Sequence, residues 1–154
     1  MGEEKKKYGL KICGYLVFIG YLLALIYFMF FSDFYGRTQV SEEYHYNLRP
    51  FKEIIRFIKY YKTIGVTSAL LNLAGNVIGF LPFGFFVPTL FKRARRWYIV
   101  LLFSMEFRII IELLQLIKKV GCCDVDDVIL NTLGGLLGYF CYCVIQYVRR
   151  KSNG

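Results

Sequence analysis

Polar side chains recur at helical spacing inside strongly apolar segments of this 154-residue chain. Asn72 and Asn76 are four residues apart, and Arg108, Glu112 and Gln115 follow the pattern i, i+4, i+7. Residues at these spacings share one face of an α-helix. Polar groups in hydrocarbon are costly unless they are paired or hydrated, so we predict ligand-binding roles for all five. The alternative is a hydrogen-bonded core that only fixes how the helices pack.

An acidic run lies further along the chain, where Asp124, Asp126 and Asp127 shortly precede Asn131. Clustered carboxylates bind a hard divalent cation through oxygen, and such a cation would in turn hold a phosphate or pyrophosphate headgroup. Without a metal, carboxylates and amides bind a cationic or peptide-like ligand directly. A desolvated carboxylate also transfers protons, which makes Glu112, Asp126 and Asp127 the catalytic candidates. Alternatively, the three aspartates and Asn131 only support a helix start.

The elements that position these residues are predicted from the lengths of the apolar segments. Hydrophobic residues make up 56 % of the chain and its mean hydropathy is +0.44, which excludes an ordinary soluble domain. A helix of about 20 apolar residues crosses the hydrocarbon layer. Four segments meet this length, at residues 12–32, 66–91, 97–117 and 128–148. Backbone groups in lipid must pair within their own segment, so residues 1–154 are expected to form one all-α membrane domain.

Two segments need separate arguments. Residues 97–117 contain Glu106, Arg108 and Glu112, yet we predict a membrane span there as well, the third in chain order, because almost all the other residues are apolar. Residues 52–63 alternate apolar and basic side chains at helical spacing, which predicts an amphipathic helix at the membrane surface.

Proline and glycine mark the second and fourth spans. Pro82 and Pro88 predict that the second span is bent or split into two shorter pieces. Gly134 and Gly138 have the small-x-x-x-small spacing that allows two membrane helices to pack closely.

The formal net charge of +9 indicates membrane orientation rather than nucleic-acid binding, because no soluble basic domain is present. Basic residues are concentrated at residues 5–11, 92–96 and 149–151, which alternate spans place on one side of the membrane. The positive-inside rule makes that side cytoplasmic in a bacterial plasma membrane, with both termini there. The loops at residues 33–62 and 118–127 then face outward.

This topology brings the polar residues to one level. The second and fourth spans begin outside and the third ends outside, so all three carry their polar side chains in their outer halves. We therefore predict a single outward-facing polar pocket at the level of the outer leaflet.

The order and spacing of six short motifs resemble those of the VanZ-like family of small bacterial membrane proteins. The motifs are NLRPF at 47–51, LNLAGN at 71–76, GFLPFG at 79–84, ELLQ at 112–115, DVDD at 124–127 and NTLG at 131–134. The resemblance adds Asn47 to the ligand-binding candidates. Many relatives have an Arg shortly before the acidic run, where this chain has glycine and two cysteines, at residues 121–123.

The resemblance implies a role in lowering susceptibility to lipoglycopeptide antibiotics such as teicoplanin. Three hypotheses remain open from the sequence. The protein binds a lipid-linked cell-wall precursor or the antibiotic in its pocket; it is a membrane enzyme that modifies a lipid or cell-envelope headgroup; or it supports other membrane proteins by packing. Membrane lipids are expected partners in each case, and a divalent cation is the one candidate cofactor.

Overall fold

A computed structural model describes residues 2–31 and 44–152 of the protein, without the side chains of residues 2–7. The predicted all-α fold is confirmed. Five α-helices, a 3-10 turn and two very short strands follow in the order α1 (Gly2–Phe31), β1 (Tyr46–Asn47), α2 (Lys52–Ile64), α3 (Val66–Leu90), the 3-10 turn (Lys92–Ala94), α4 (Trp97–Ile117), β2 (Cys123–Asp124) and α5 (Val125–Ser152). Residues 32–43, which include the first part of the predicted outer loop, lie outside the described residues.

Three of the described helices are long and apolar enough to cross a membrane, namely Tyr8–Phe31, Val66–Leu90 and Val125–Ser152. They identify a membrane protein. The helix α4 coincides with the predicted third span at residues 97–117, but it differs from the other three long helices because its apolar sequence contains three charged residues. The helix α5 begins three residues earlier than predicted, so the last two aspartates of the acidic run lie in its first turn.

The helix α3 is continuous from Val66 to Leu90 although it contains Pro82 and Pro88. The predicted alternative of two shorter pieces is therefore not found. Glycines allow α5 to approach α3 closely, and α5 therefore supports α3 along its length. A methyl group on Gly84 would lie 1.8 Å from the backbone oxygen of Gly135, and one on Gly138 would lie 2.1 Å from that of Leu81. The close packing predicted from the glycine spacing is confirmed.

The helix α1 packs on this pair through large apolar side chains. Phe18, Leu25 and Met29 are buried, and Phe18 contacts the rings of Phe83 and Phe86. The hydroxyl of Tyr21 donates a hydrogen bond of 2.7 Å to the backbone oxygen of Gly79. A shared apolar and aromatic core therefore holds α1 against α3.

The two ends of the helix bundle differ in charge. At one end, Tyr15 donates to the backbone oxygen of Leu90, and Tyr139 donates to that of Arg95, beside the basic residues 92–96. We call this the basic end. At the other end, α1 and α4 terminate and α3 and α5 begin, close to the acidic run at 124–127. We call this the acidic end.

The acidic end is closed by the segment that precedes α3. Strand β1 pairs in parallel with β2, with Tyr46 opposite Cys123 and Asn47 opposite Asp124. The helix α2 follows and matches the predicted amphipathic helix, although none of its residues is fully buried. Ile55 and Ile58 remain 58 % and 62 % exposed, which leaves an apolar face on the outer side of this helix.

Candidate functional site

Arg108 is the centre of a buried polar network at the acidic end. It is fully buried on α4, and its Nη2 atom donates to Glu112 one turn later and to Asp127 Oδ2 of α5 at 2.6 Å. Both acids were predicted site residues, and the helical spacing correctly placed Arg108 and Glu112 on one face. A buried guanidinium is stable only with such charged acceptors.

Asp127 extends this network into α3 through amide side chains. Its Oδ1 accepts a hydrogen bond of 2.7 Å from Asn76, and the amide of Asn131 donates to Asn76 Oδ1 at 3.3 Å. Asn131 also donates to the backbone oxygen of Asp127 at 2.5 Å. The predicted association of polar residues from α3, α4 and α5 at one level is therefore present in the structure.

Asp124 joins the network to the paired strands. Its backbone N–H donates to Glu112 Oε2 at 2.9 Å, and its Oδ1 accepts from Asn47 at 3.0 Å and from the backbone N–H of Asp126 at 2.9 Å. Asn47 and Asp124 are also partners in the strand register, so backbone and side chains hold them together. Asn47, which resemblance alone had suggested, lies in the site.

Asp126 points away from this network and binds the start of α2. Its two oxygens accept from the backbone N–H groups of Phe51 at 2.5 Å, Glu53 at 2.7 Å and Ile54 at 3.1 Å. The first N–H groups of a helix have no partner within the helix, and no side chain of α2 itself caps them. Asp126 therefore caps a helix that lies more than 70 residues away in sequence.

Two predicted site residues, Gln115 and Asn72, donate their side-chain hydrogen bonds outside the Arg108 network. Gln115 is buried and donates to the backbone oxygen of Met29 at 2.6 Å, which ties the end of α4 to the end of α1. Asn72 donates to the backbone oxygen of Ser68, one turn earlier in α3, at 2.9 Å. Asn76 thus enters the network, whereas Asn72 lies on the wall of a neighbouring cavity.

This cavity has a volume of about 470 Å³ and lies at the acidic end between α2, α3 and α5. Its walls include the predicted site residues Asn72, Asp124, Asp126 and Asp127. Nine further lining residues were not predicted as site residues, among them His45, Glu53, Arg56, Phe57 and Cys122. Five of the nine lie within residues 45–57, at and before the start of α2, which was interpreted from sequence as a surface connector. The sequence signal for this wall of the cavity was the amphipathic pattern of α2, because the half-buried side of α2 faces the cavity.

The three aspartates of the acidic run do not converge on a common point. Asp124 binds Asn47, Asp126 binds the start of α2, and Asp127 binds Arg108 and Asn76. Within residues 2–31 and 44–152, no group of three histidine, cysteine or acidic side chains is placed to hold a metal ion. The divalent cation accordingly stays a prediction, and no step below depends on it.

Burial governs the ionisation of the groups around the cavity. It raises the pKa of Asp124 from 3.8 to about 6, and the nearby negative charges of Asp127 and Asp126 act in the same direction. Burial also raises the pKa of the Cys122 thiol to about 11, with Asp124 as the next contributor. With a pKa of about 6, Asp124 is therefore mostly ionised at neutral pH and gains a proton under mildly acidic conditions.

Comparison with known proteins supports the relationship that the motifs suggested. A curated relative, "Protein VanZ" of Enterococcus faecium, is 33 % identical over 128 residues, which cover 79 % of this chain and 68 % of that protein. No solved structure matches the chain. The model of the VanZ/LLP1 family matches residues 18–146, a range that contains every residue of the buried network. The chain belongs to the VanZ/LLP1 family.

Proposed function

We propose that the protein crosses the membrane four times, with both termini in the cytoplasm and the acidic end at the outer surface. The pairing of Arg108 with Glu112 supports a membrane position for α4, because both charges are buried inside the protein. Only Glu106 of its charged residues is exposed. The basic residues 92–96 lie at the opposite end from the cavity, as the positive-inside rule requires for an outward-facing site.

The proposed activity is the binding of a lipid-linked cell-wall precursor or of a lipoglycopeptide antibiotic such as teicoplanin. Binding would lower susceptibility to the antibiotic by limiting its access to the precursor. The observation that carries this proposal is the 470 Å³ cavity beside the buried Arg108 network, at the end of the bundle for which the positive-inside rule predicts an outward position. Its volume lies within the range of about 300–1,000 Å³ that is usual for small-molecule sites, enough for one part of a large ligand.

Binding is better supported than catalysis by a membrane enzyme. Glu112 and Asp127 share Arg108, and Asp126 is occupied by three backbone N–H groups. All three catalytic candidates thus serve as fixed acceptors that hold helices in place. Polar groups held in this way give a preorganised wall for a ligand.

The test compares two conservative substitutions in α3. Asn72→Leu removes the amide from the cavity wall, whereas Thr89→Val removes a hydroxyl near the basic end. Each of these side chains donates to a backbone oxygen one turn earlier, so their helical environments match. Variants are expressed in a teicoplanin-susceptible host, and lipids and ligands that co-purify with the protein are identified by mass spectrometry.

We expect Asn72→Leu to lose both the susceptibility change and the co-purifying species, while Thr89→Val retains both. If the wild type converts the co-purifying species into a new product that Asn72→Leu does not form, the enzyme hypothesis replaces the binding one. If Asn72→Leu behaves as the wild type in both measurements, the cavity is not the site.

A further inference from the structure

The acids of the cavity wall are not equally compensated by positive charge. Asp127 is paired with Arg108 at 2.6 Å, and Glu53 is paired with Arg56 at 2.5 Å. Among the described residues that line the cavity, Arg56 is the one arginine or lysine, and its ion pair with Glu53 already engages it. The wall as a whole retains an excess of negative charge.

Asp126 and Asp124 make no ion pair with any described residue, but their oxygens differ in the hydrogen bonds that they accept. Both oxygens of Asp126 accept backbone N–H groups from the start of α2. In Asp124, Oδ1 accepts both hydrogen bonds, and Oδ2 has no partner among the described residues. Asp124 is only 9 % exposed, and it lines the cavity.

A carboxylate oxygen that faces the cavity without a protein partner is available to the donors of a ligand, and a cation bound there offsets the negative charge of the wall. The chemistry of the wall selects the class of cation. A divalent metal requires several converging oxygens, and the described residues provide no such group. An ammonium group instead carries three N–H donors that single, separated acceptors can satisfy. Asn72 supplies a second acceptor, because its amide nitrogen is the atom that binds Ser68.

We propose that the cavity recognises a primary ammonium group carried on an aliphatic chain, with Asp124 Oδ2 as its principal acceptor. The inference rests on the proposed function, since it specifies which part of the ligand this site binds. Apolar side chains form the rest of the wall, including Ile54, Leu73 and Leu130, and they accommodate the methylene groups that precede the amine.

The experiment uses the full chain in nanodiscs of phosphatidylcholine, a lipid without N–H donors. The probe is Nα-acetyl-lysine N-methylamide, and the control probe is its Nε-acetylated form, which has the same chain without the charge. Binding is measured by isothermal titration calorimetry and by saturation-transfer NMR. We expect the charged probe to bind the wild type at least tenfold more tightly than the neutral one.

Two variants locate the interaction. Asp124→Asn retains an oxygen for Asn47 and for the backbone N–H of Asp126, and it should weaken binding of the charged probe at least tenfold. Glu106→Gln neutralises an exposed acid of α4 that does not line the cavity and should leave binding unchanged. Equal binding of the two probes to the wild type overturns the proposal without any variant, and so does unchanged binding to a folded Asp124→Asn.

The source of the amine is resolved by adding phosphatidylethanolamine to the nanodiscs. Competition with the probe identifies a lipid headgroup as the ligand, and its absence identifies an amine of a peptide-like ligand. If the charged probe fails to bind while Asn72→Leu still abolishes the susceptibility change, this inference is wrong and the proposed function stands. If the probe binds and Asn72→Leu changes nothing, the proposed function fails alone.

Discussion

Arg108 is the residue on which the site depends most directly, because it neutralises two carboxylates from different helices. Its side chain is fully buried, and its partners Glu112 and Asp127 are themselves largely removed from solvent. Three charges can be buried together only when each is paired. Without the shared cation, both acids would remain buried with nothing to compensate for their lost hydration.

Replacing Arg108 by glutamine should therefore destabilise the protein strongly, by roughly 3–5 kcal/mol in the free energy of unfolding. The control is Arg56→Gln, whose ion pair with Glu53 is half exposed and should contribute less than about 1 kcal/mol. Reversible denaturation in a mild detergent measures both. Equal losses for the two variants would show that Arg108 contributes no more than a surface arginine.

Asp124 predicts how stability depends on pH. Burial raises its pKa from 3.8 to about 6, and the charges of Asp127 and Asp126 contribute further. Between about pH 4 and pH 6, the folded chain therefore keeps a proton on this carboxyl group that the unfolded chain has lost. The contribution of this group to stability thus increases as the pH falls from 7.5 to 5. Asp124→Asn should remove that part of the increase, as measured by thermal unfolding at several pH values. Parallel pH profiles for the two proteins would refute the assignment.

The sequence allowed the relations within one helix to be predicted but not all of the relations between helices. The spacing of Arg108 and Glu112 correctly predicted a shared face. The role of Asp126 was not predictable, because its partners are backbone N–H groups of a helix 72–75 residues earlier. The position of α2 relative to Asp126 depends on the tertiary fold, and no periodic pattern in the sequence indicates it.

At the scale of elements, α2 forms one wall of the cavity but has no buried residue of its own. Its start is held by Asp126, and its end continues into α3 through Gly65, whose φ of 103° lies in the region that favours glycine. Asp126 is therefore the carboxylate of α5 that holds the start of this wall.

Asp126→Ala should release the start of α2 at a cost of roughly 2 kcal/mol, as expected for a lost cap with partly buried donors. Hydrogen exchange with mass spectrometry should show faster exchange of the amides of residues 51–54, while α3 stays protected. Glu53→Gln is the matched control, because it changes an acid of the same turn that caps nothing in the structure. Unaltered exchange in Asp126→Ala would mean that other contacts hold α2.

The glycine contact between α3 and α5 was predictable from spacing, whereas the continuity of α3 through its prolines was not. A proline in the sequence indicates that one backbone N–H donor is missing. It does not indicate how tightly a neighbouring helix packs against that segment. Here Gly138 approaches Leu81, the residue before Pro82, so close packing occurs beside the proline.

Gly138→Ala should destabilise the protein by roughly 1–3 kcal/mol, because its methyl group would lie 2.1 Å from a backbone oxygen of α3. Gly20→Ala in α1 is the control, since nothing lies within 4 Å of the added methyl group. There the higher helix propensity of alanine should leave stability equal or up to about 1 kcal/mol higher. Thermal unfolding of both variants tests the difference, and similar melting temperatures would contradict close packing at Gly138.

For the whole molecule, the separation of a basic end from an acidic end gives a direct test of orientation. Cys122 is exposed at the acidic end, and Ser152 is exposed at the end of α5. In a chain whose other cysteines are replaced, a membrane-impermeant maleimide should label Cys122 in intact cells. Labelling should be performed near pH 8.5, because burial and nearby acids raise the pKa of this thiol to about 11 and its thiolate is scarce.

The matching variant carries Ser152→Cys and no other cysteine. It should react only after the cells are permeabilised. Labelling of Ser152→Cys in intact cells, with protection of Cys122, would mean that the protein is inserted the other way round and that the cavity faces the cytoplasm.

Arg108 and Glu112 lie one turn apart on the same helix, and this arrangement affects how the protein is made. In the proposed four-span topology, α4 leaves the ribosome before Asp127 exists, so a guanidinium that relied on α5 alone would enter the membrane as a bare cation, at a cost of about 2.5–3.5 kcal/mol. Glu112 follows Arg108 by one turn of the same helix and pairs with it without any other element. Asp127 is synthesised afterwards and joins a cation that already has one acid beside it.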